Sequence, residues 1–211
     1  FTDNVINVAM PSTYHFLEKV IDEIVRMYQD AGVELTAFHV GGDEVPEGIW
    51  EGSSICRTFM QENGLTKIRD LKDYFLEQIL EMLDKRNIQA VGWQDIVMNP
   101  DNTVNEHFRN SKVLNYCWNT IPEQGGDEVP YKLANAGYPV ILCNVGNFYL
   151  DMAYCYHVEE PGLRWGGYVD EYVTFDMLTF DIYKSLRRNL KGEPVDVKAA
   201  SNGKQPLTKE G

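Results

Sequence analysis

The chain has 211 residues, 44% of them hydrophobic, and a formal net charge of −13. That is enough apolar material for one globular core, and the composition excludes overall disorder. The charge excludes a nucleic-acid backbone as partner, which demands a basic footprint, and no apolar run reaches the roughly 18 residues of a membrane span. A chain that begins at Phe1 is expected to be a processed product or an excised piece, so the lack of a signal pattern at its start carries nothing about compartment. Cys56, Cys117, Cys143 and Cys155 show neither CxxC nor Cys/His zinc spacing. They are expected to be mainly small buried hydrophobes, with one disulfide left open.

The first predicted helix follows Pro11, with Ser12 as its N-cap. Phe16, Val20, Ile24 and Tyr28 recur at i+4 beside Leu17, Ile21 and Val25, giving one apolar stripe that Gly32 ends. Residues 35–40 read as a short strand of the kind buried on both faces in a parallel sheet. After a loop with Pro46, Gly48, Trp50 and Gly52, Ser53 caps a short helix reaching about Asn63. A longer helix covers 67–85, with Leu71, Phe75, Ile79 and Leu83 buried and Lys72, Glu77 and Glu81 solvated. Strands follow at 89–93 and 112–118, and a helix over 127–136 stops at Gly137. A strand at 139–143 then leads into Asn147-Phe148-Tyr149-Leu150-Asp151. Beyond Glu159 a helix over 174–190 precedes a polar tail, dividing the chain into one folded domain, 1–190, and an exposed loop or disordered end, 191–211.

Four strands alternating with helical segments argue for βα units on a parallel sheet. Each strand delivers polar or aromatic residues at its carboxyl end, which is where (β/α)8 barrels place active sites. The expected fold class is α/β, of the parallel (β/α)8 TIM-barrel type. About four to five βα units are expected, because a complete barrel takes about 250 residues, and such a portion leaves open sheet edges.

One stretch stands apart chemically. Phe38-His39-Val40 runs into Gly41-Gly42-Asp43-Glu44. Neighbouring side chains of a regular strand point to opposite faces, but glycines free the backbone to turn, so two adjacent carboxylates can serve one ligand. The acids are open to a plainer reading as helix caps or solvated strand-end residues. His39 reads as a hydrogen-bonded structural residue, since no second histidine sits at a useful metal spacing. A metal-dependent hydrolase built on His39, Asp43 and Glu44 is a further alternative.

His39-Val40-Gly41-Gly42-Asp43-Glu44 resembles the H-x-G-G-D-E signature of glycoside hydrolase family 20, the β-N-acetylhexosaminidases. Supporting blocks come in the family's order: Gly92-Trp93-Gln94-Asp95, then Trp118, then Tyr149-Leu150-Asp151. The resemblance runs from about Val8 to about Tyr183. It implies removal of terminal β-linked N-acetylhexosamine from glycans by retaining, substrate-assisted hydrolysis, without a metal or organic cofactor. In that chemistry one carboxyl starts protonated and the other ionised, a division that adjacent like charges favour. By the resemblance Glu44 is the general acid/base and Asp43 orients the 2-acetamido group. Trp93 and Trp118 wall the pocket, Tyr149 holds the acetamido oxygen, and Asp151 holds sugar hydroxyls or braces Tyr149. His39 and Asp95 are expected behind these residues as support.

The implied partner is a carbohydrate ending in N-acetylglucosamine or N-acetylgalactosamine. Further expected partners are the remainder of the barrel or a second copy of the chain, and the implied location is periplasmic, extracellular or lysosomal. The family's early-strand arginine, its upstream acidic and histidine residues and its last-strand Trp and Glu have no counterpart here. A sugar-binding module that does no chemistry is therefore the alternative. Glu47 and Trp50 are expected at the pocket rim, and His15, His107 and His157 on the surface or in loops. Asn147 and Trp165 carry no assignment.

Overall fold

The computed structural model describes residues 5–46, 48–111, 113–177 and 181–208. The chain divides into two compact units, the first made of residues 1–99 with 110–114, the second of residues 100–109 with 115–211.

In the first unit α1 (Pro11–Asp30) leads to β1 (Ala37–His39), α2 (Ser54–Glu62), α3 (Ile68–Asp84) and β2 (Gln89–Trp93). β1 and β2 pair in parallel with Ala37 opposite Gln89 and His39 opposite Val91. Helix α1 starts two residues earlier than Ser12 as N-cap would place it. Pro11 takes the first helical position and Met10 is an N-cap without a side-chain bond, an arrangement suited to proline because its missing N–H is one of the helix's orphans. The expected stripe is buried only at its middle: Ile21 is 2% exposed, whereas Phe16 is 62% and Tyr28 42% exposed. Steps of i+4 advance about 40° around a helix, so three steps rotate about 120° and carry both ends of the series off the packed face. Tyr14 makes the contact with α3, edge-on to Tyr74 at 5.9 Å and tilted on Phe75 at 6.2 Å.

β1 is not buried on both faces. Ala37 and His39 are exposed and Phe38 half-buried, because among the described residues β2 is its only strand neighbour. Ser53 does cap α2, its hydroxyl accepting the Cys56 N–H at 3.3 Å and the Asn7 side-chain amide at 3.4 Å. In α3 Leu71, Leu76, Ile79, Met82 and Leu83 are buried and Glu77 and Glu81 exposed, but Phe75 is only half-buried. Lys72 is not solvated. It is half-buried, and its ammonium donates to the Asp95 carbonyl at 2.7 Å. Trp50 belongs to the core with Val8, Cys56 and Leu71 instead of a rim, its indole N–H donating to the Ile6 carbonyl at 3.2 Å. Glu47 lies outside the described residues.

The second unit takes in β3 (Leu114–Cys117) from Asn115 onward, then α4 (Val129–Asn135), β4 (Val140–Leu142), α5 (Val145–Phe148), α6 (Glu171–Asp176), α7 (Ile182–Ser185) and α8 (Val197–Ser201). β3 and β4 are parallel, with Asn115 opposite Val140 and Cys117 opposite Leu142. The single helix expected over 174–190 is two short ones. Asp170 caps α6 by accepting the Val173 N–H at 2.9 Å, and Asp181 starts α7 by accepting the Lys184 N–H at 3.4 Å. Aspartates that bond backbone N–H groups begin helices and interrupt a longer one; residues 178–180 of the expected helix lie outside the described residues. The polar stretch from residue 191 carries α8, and Lys204 pairs with the fully buried Asp127. All four cysteines are free; Cys56 and Cys117 are buried, Cys143 is half-buried, and Cys155 is exposed.

The Ser53→Ala chain is expected to lose about 1 kcal/mol of stability through the missing cap, read as a lower urea midpoint with an unchanged slope; an unmoved midpoint would show that α2 does not depend on that bond.

Candidate active site

The strand hydrogen bonds of β1 and β2 continue past the end of β1, with Val40 N–H donating to the Val91 carbonyl at 2.8 Å and Trp93 N–H to the Gly41 carbonyl at 3.1 Å. There the backbone turns. Gly41 has φ +72° and Gly42 φ +96°, conformations that side chains with a β-carbon rarely adopt. Gly42 is required for space as well, because a β-carbon there would lie 2.0 Å from Ile96 Cγ2. Gly92 answers to the same neighbour: its β-carbon would meet Ile96 Cδ1 at 2.4 Å and the Gly41 carbonyl oxygen at 3.2 Å. Glu44 itself has φ +46°, a left-handed conformation that costs a non-glycine residue about 1–2 kcal/mol and that clusters at functional sites. The result is that Asp43 and Glu44 are both exposed at the carboxyl end of a parallel strand. Neither caps a helix.

His39 braces this turn. Its Nδ1 accepts the Gly41 N–H at 3.1 Å, and its ring stands edge-on to Trp93 at 4.9 Å. Burial against these neighbours lowers the imidazole's pKa, opposed by the Asp43 carboxylate. Accepting at Nδ1 requires the neutral ring, so burial and hydrogen bond favour the same state. Trp93 is half-buried and ends β2, and Gln94 to Ile96 form one 3₁₀ turn in which Asp95 is half-buried. The main-chain carbonyls of this turn are held by α3, through Lys72 at Asp95 and through Arg69 at Ile96 (2.9 Å) and Met98 (2.6 Å). Below the turn lies a cavity of about 340 Å³, with Val40, Gly42, Asp43, Lys72, Phe75 and Ile96 among its walls.

The second unit gathers aromatic side chains. Trp118 follows β3, and its carbonyl accepts the Val145 N–H at 2.9 Å at the end of β4. Trp165 stands edge-on to Trp118 at 6.0 Å and to Tyr149 at 5.8 Å. Its neighbour in sequence, the chain at residues 151–163, closes on itself. Leu163 N–H donates to the Asp151 carbonyl and Ala153 N–H to the Leu163 carbonyl, each at 2.8 Å. Gly162 permits the approach, since a β-carbon there would lie 2.7 Å from Ala153 N. Asp151 is exposed, its side chain free of the ladder that its carbonyl joins. Asn147 is structural, its amide donating to the Val173 carbonyl at 3.0 Å. Of the other histidines, His15 and His157 are exposed, and His107 stands edge-on to Phe108 at 4.6 Å.

The structure thus brings His39, Asp43, Glu44, Trp93 and Asp95 to adjacent strand ends in one unit, and Trp118 and Tyr149 to a shared third ring in the other. Trp165, which like Asn147 has no assignment from the sequence, has as its signal there only a Trp followed by the Gly166-Gly167 pair. Among the described residues no group of three or more His, Cys, Asp and Glu could hold a metal ion, and no helix is long and apolar enough to cross a membrane.

A family model described as glycosyl hydrolase family 20, catalytic domain, matches residues 1–199. A β-hexosaminidase of Vibrio vulnificus is 32% identical over 167 residues, which is 78% of this chain and 19% of that protein. Among solved structures, an inactive mutant of the GH20 exo β-N-acetylglucosaminidase of Vibrio harveyi superposes with a TM-score of 0.70 at 26% identity, covering 95% of this chain and 27% of that one. The same enzyme in complex with N-acetylglucosamine gives 0.65 at 26% identity, over 94% of this chain and 27% of that one. The fold is accordingly α/β with parallel strands, of the TIM-barrel type, and the chain spans about a fifth to a quarter of the relatives it matches.

Replacing Gly42 by alanine should displace Ile96 and destabilise the protein by about 1–3 kcal/mol, the usual cost of overpacking, and more through the positive φ. The paired replacement Gly42→Ala with Ile96→Ala should recover the steric part in a double-mutant cycle of urea midpoints, and strict additivity of the two changes would refute the contact's role.

Proposed function

The chain belongs to glycosyl hydrolase family 20, and from that premise we propose that it carries the acid/base centre of an enzyme that removes terminal β-linked N-acetylhexosamine from glycans with retention of configuration. The observation that carries the reading is the exposed pair Asp43 and Glu44, side by side on a glycine turn at the carboxyl end of a parallel strand, the end where barrel enzymes keep their chemistry.

Glu44 delivers its proton to the glycosidic oxygen as the carbonyl oxygen of the substrate's own 2-acetamido group attacks the anomeric carbon. The bond to the leaving group breaks and a cyclic oxazolinium forms. Asp43 accepts a hydrogen bond from the acetamido N–H and balances the positive charge that develops there. Glu44, now a carboxylate, takes a proton from water as the water oxygen adds to the anomeric carbon from the face the leaving group vacated; the bond from that carbon to the acetamido oxygen breaks, the acetamido group is regenerated and the original configuration is restored. This chemistry uses no metal or organic cofactor.

Trp93 and Trp118 are assigned to the apolar surface of the sugar and its acetamido methyl, where aromatic area also excludes water. Tyr149 is assigned to the acetamido oxygen, which it holds in line for attack, and Asp151 to sugar hydroxyls. His39 supports Trp93 and the turn, and Asp95 supports them through its backbone. The 191–211 stretch is assigned no part in the chemistry. A glycan substrate fits a periplasmic, extracellular or lysosomal setting.

In the full-length protein, Glu44→Gln should cut turnover of an aryl N-acetyl-β-glucosaminide by about 10²-fold or more, the scale of general acid catalysis, while calorimetry still registers binding of N-acetylglucosamine thiazoline. Turnover that survives unchanged sinks the acid/base role, and binding without turnover in the unaltered protein leaves only a sugar-binding module. The Asp43→Asn protein should lose rate on 2-acetamido substrates and spare substrates that lack the group; equal losses on both would refute the orienting role.

A further inference from the structure

Helix α3 presents two cations to the turn that follows β2. Arg69 spans the Ile96 and Met98 carbonyls and pairs with Asp73 at 2.8 Å, and one helical turn away the Lys72 ammonium donates to the Asp95 carbonyl. Charge-assisted bonds of this kind are roughly twice as strong as neutral ones. The turn they hold carries Ile96, whose side chain occupies the space left by Gly42 and Gly92. A continuous line of contacts therefore leads from a helix side chain to the backbone of Asp43, through one turn and one isoleucine. Lys72 and Asp43 also wall the same cavity.

We propose that Lys72 is a positioning residue for Asp43 and Glu44, its ammonium clamping the turn at the Asp95 carbonyl, beside Arg69 at Ile96 and Met98, and so helping to fix Ile96 as the seat of Gly42. The charged groups around it are Arg69 and Asp73 on its own helix, Asp95 after β2 and Asp43 after β1. Burial first, then Arg69, push its pKa down to about 8, against the pull of the three acids. Below that value the ammonium is intact and the clamp is charge-assisted. Above it the neutral amine keeps a donor but loses the charge, and the hold on the Asp95 carbonyl weakens. An arginine stays charged throughout that range. A strained backbone such as that of Glu44 persists only where its surroundings over-determine it, so loosening this turn reaches the acid/base residue.

Hydrogen exchange of the full-length protein reads the clamp without reference to catalysis. At neutral pH, peptides covering residues 40–46 and 94–98 should exchange about tenfold faster in Lys72→Met than in the unaltered protein, and at the unaltered rate in Lys72→Arg. Unchanged protection in Lys72→Met overturns the proposal, as does equal loosening in both variants, which marks lost packing in place of a lost charge. The kinetic arm rests on the hydrolase reading. With an aryl N-acetyl-β-glucosaminide, kcat of the unaltered protein should fall above about pH 8 and that of Lys72→Arg should hold to higher pH; a limb that stays in place in Lys72→Arg overturns the link to function. Exchange that responds as stated in a protein that hydrolyses nothing keeps the clamp and removes the hydrolase reading.

Discussion

The side chain of Ile96 is the contact on which the geometry at Asp43 and Glu44 depends. It fills the space beside Gly42 and Gly92, approaching where β-carbons would stand at 2.0 and 2.4 Å. Two glycines separated by fifty positions in sequence thus answer to one isoleucine. Close packing of this kind transmits position with little give. The turn it supports holds Gly41 and Gly42 at positive φ and forces Glu44 to φ +46°, and that local cost is met by strand bonds at Val40 and Trp93 and by the His39 ring. Both carboxylates consequently leave the alternation of a strand and face the same solvent.

The electrostatics of the first unit serve the same turn. In a surface helix the charged residues of α3 belong in water, yet Arg69 and Lys72 reach inward to backbone carbonyls. Their cationic heads supply hydrogen-bond donors to the carbonyls of Asp95, Ile96 and Met98. An acidic chain with a net charge of −13 places two of its 19 lysines and arginines at the turn behind its acidic pair.

In the second unit the organising feature is aromatic. Trp118 and Tyr149 meet through Trp165, which the ladder between residues 151–153 and 163 brings back toward them. Elsewhere in this unit Tyr131 and Tyr183 stack at 4.7 Å, and Lys204 lies 5.7 Å from the Tyr183 ring while pairing with the buried Asp127. A carboxylate without solvent access needs such a partner, and Lys204 is therefore bound to the unit even though its segment reads as a polar tail.

The sequence by itself determined the elements whose signal is local. The strand at Gln89–Trp93, the cap at Ser53 and the helix after it follow from periodicity and capping chemistry within a few residues, and the H-x-G-G-D-E run with its three companion blocks carried the family. The tertiary structure alone decided which face of each element is covered. Phe16 and Tyr28 drift off the packed side of α1, Trp50 enters the core, Lys72 turns inward, and Asp181 starts a second short helix inside the last expected one. Trp165 acquires its place through a ladder closed by Gly162. The physical reason is common to all of these: periodicity reports that a residue is apolar and how often its kind recurs, whereas burial depends on a neighbour supplied by a distant part of the chain, as Ile96 is for Gly42.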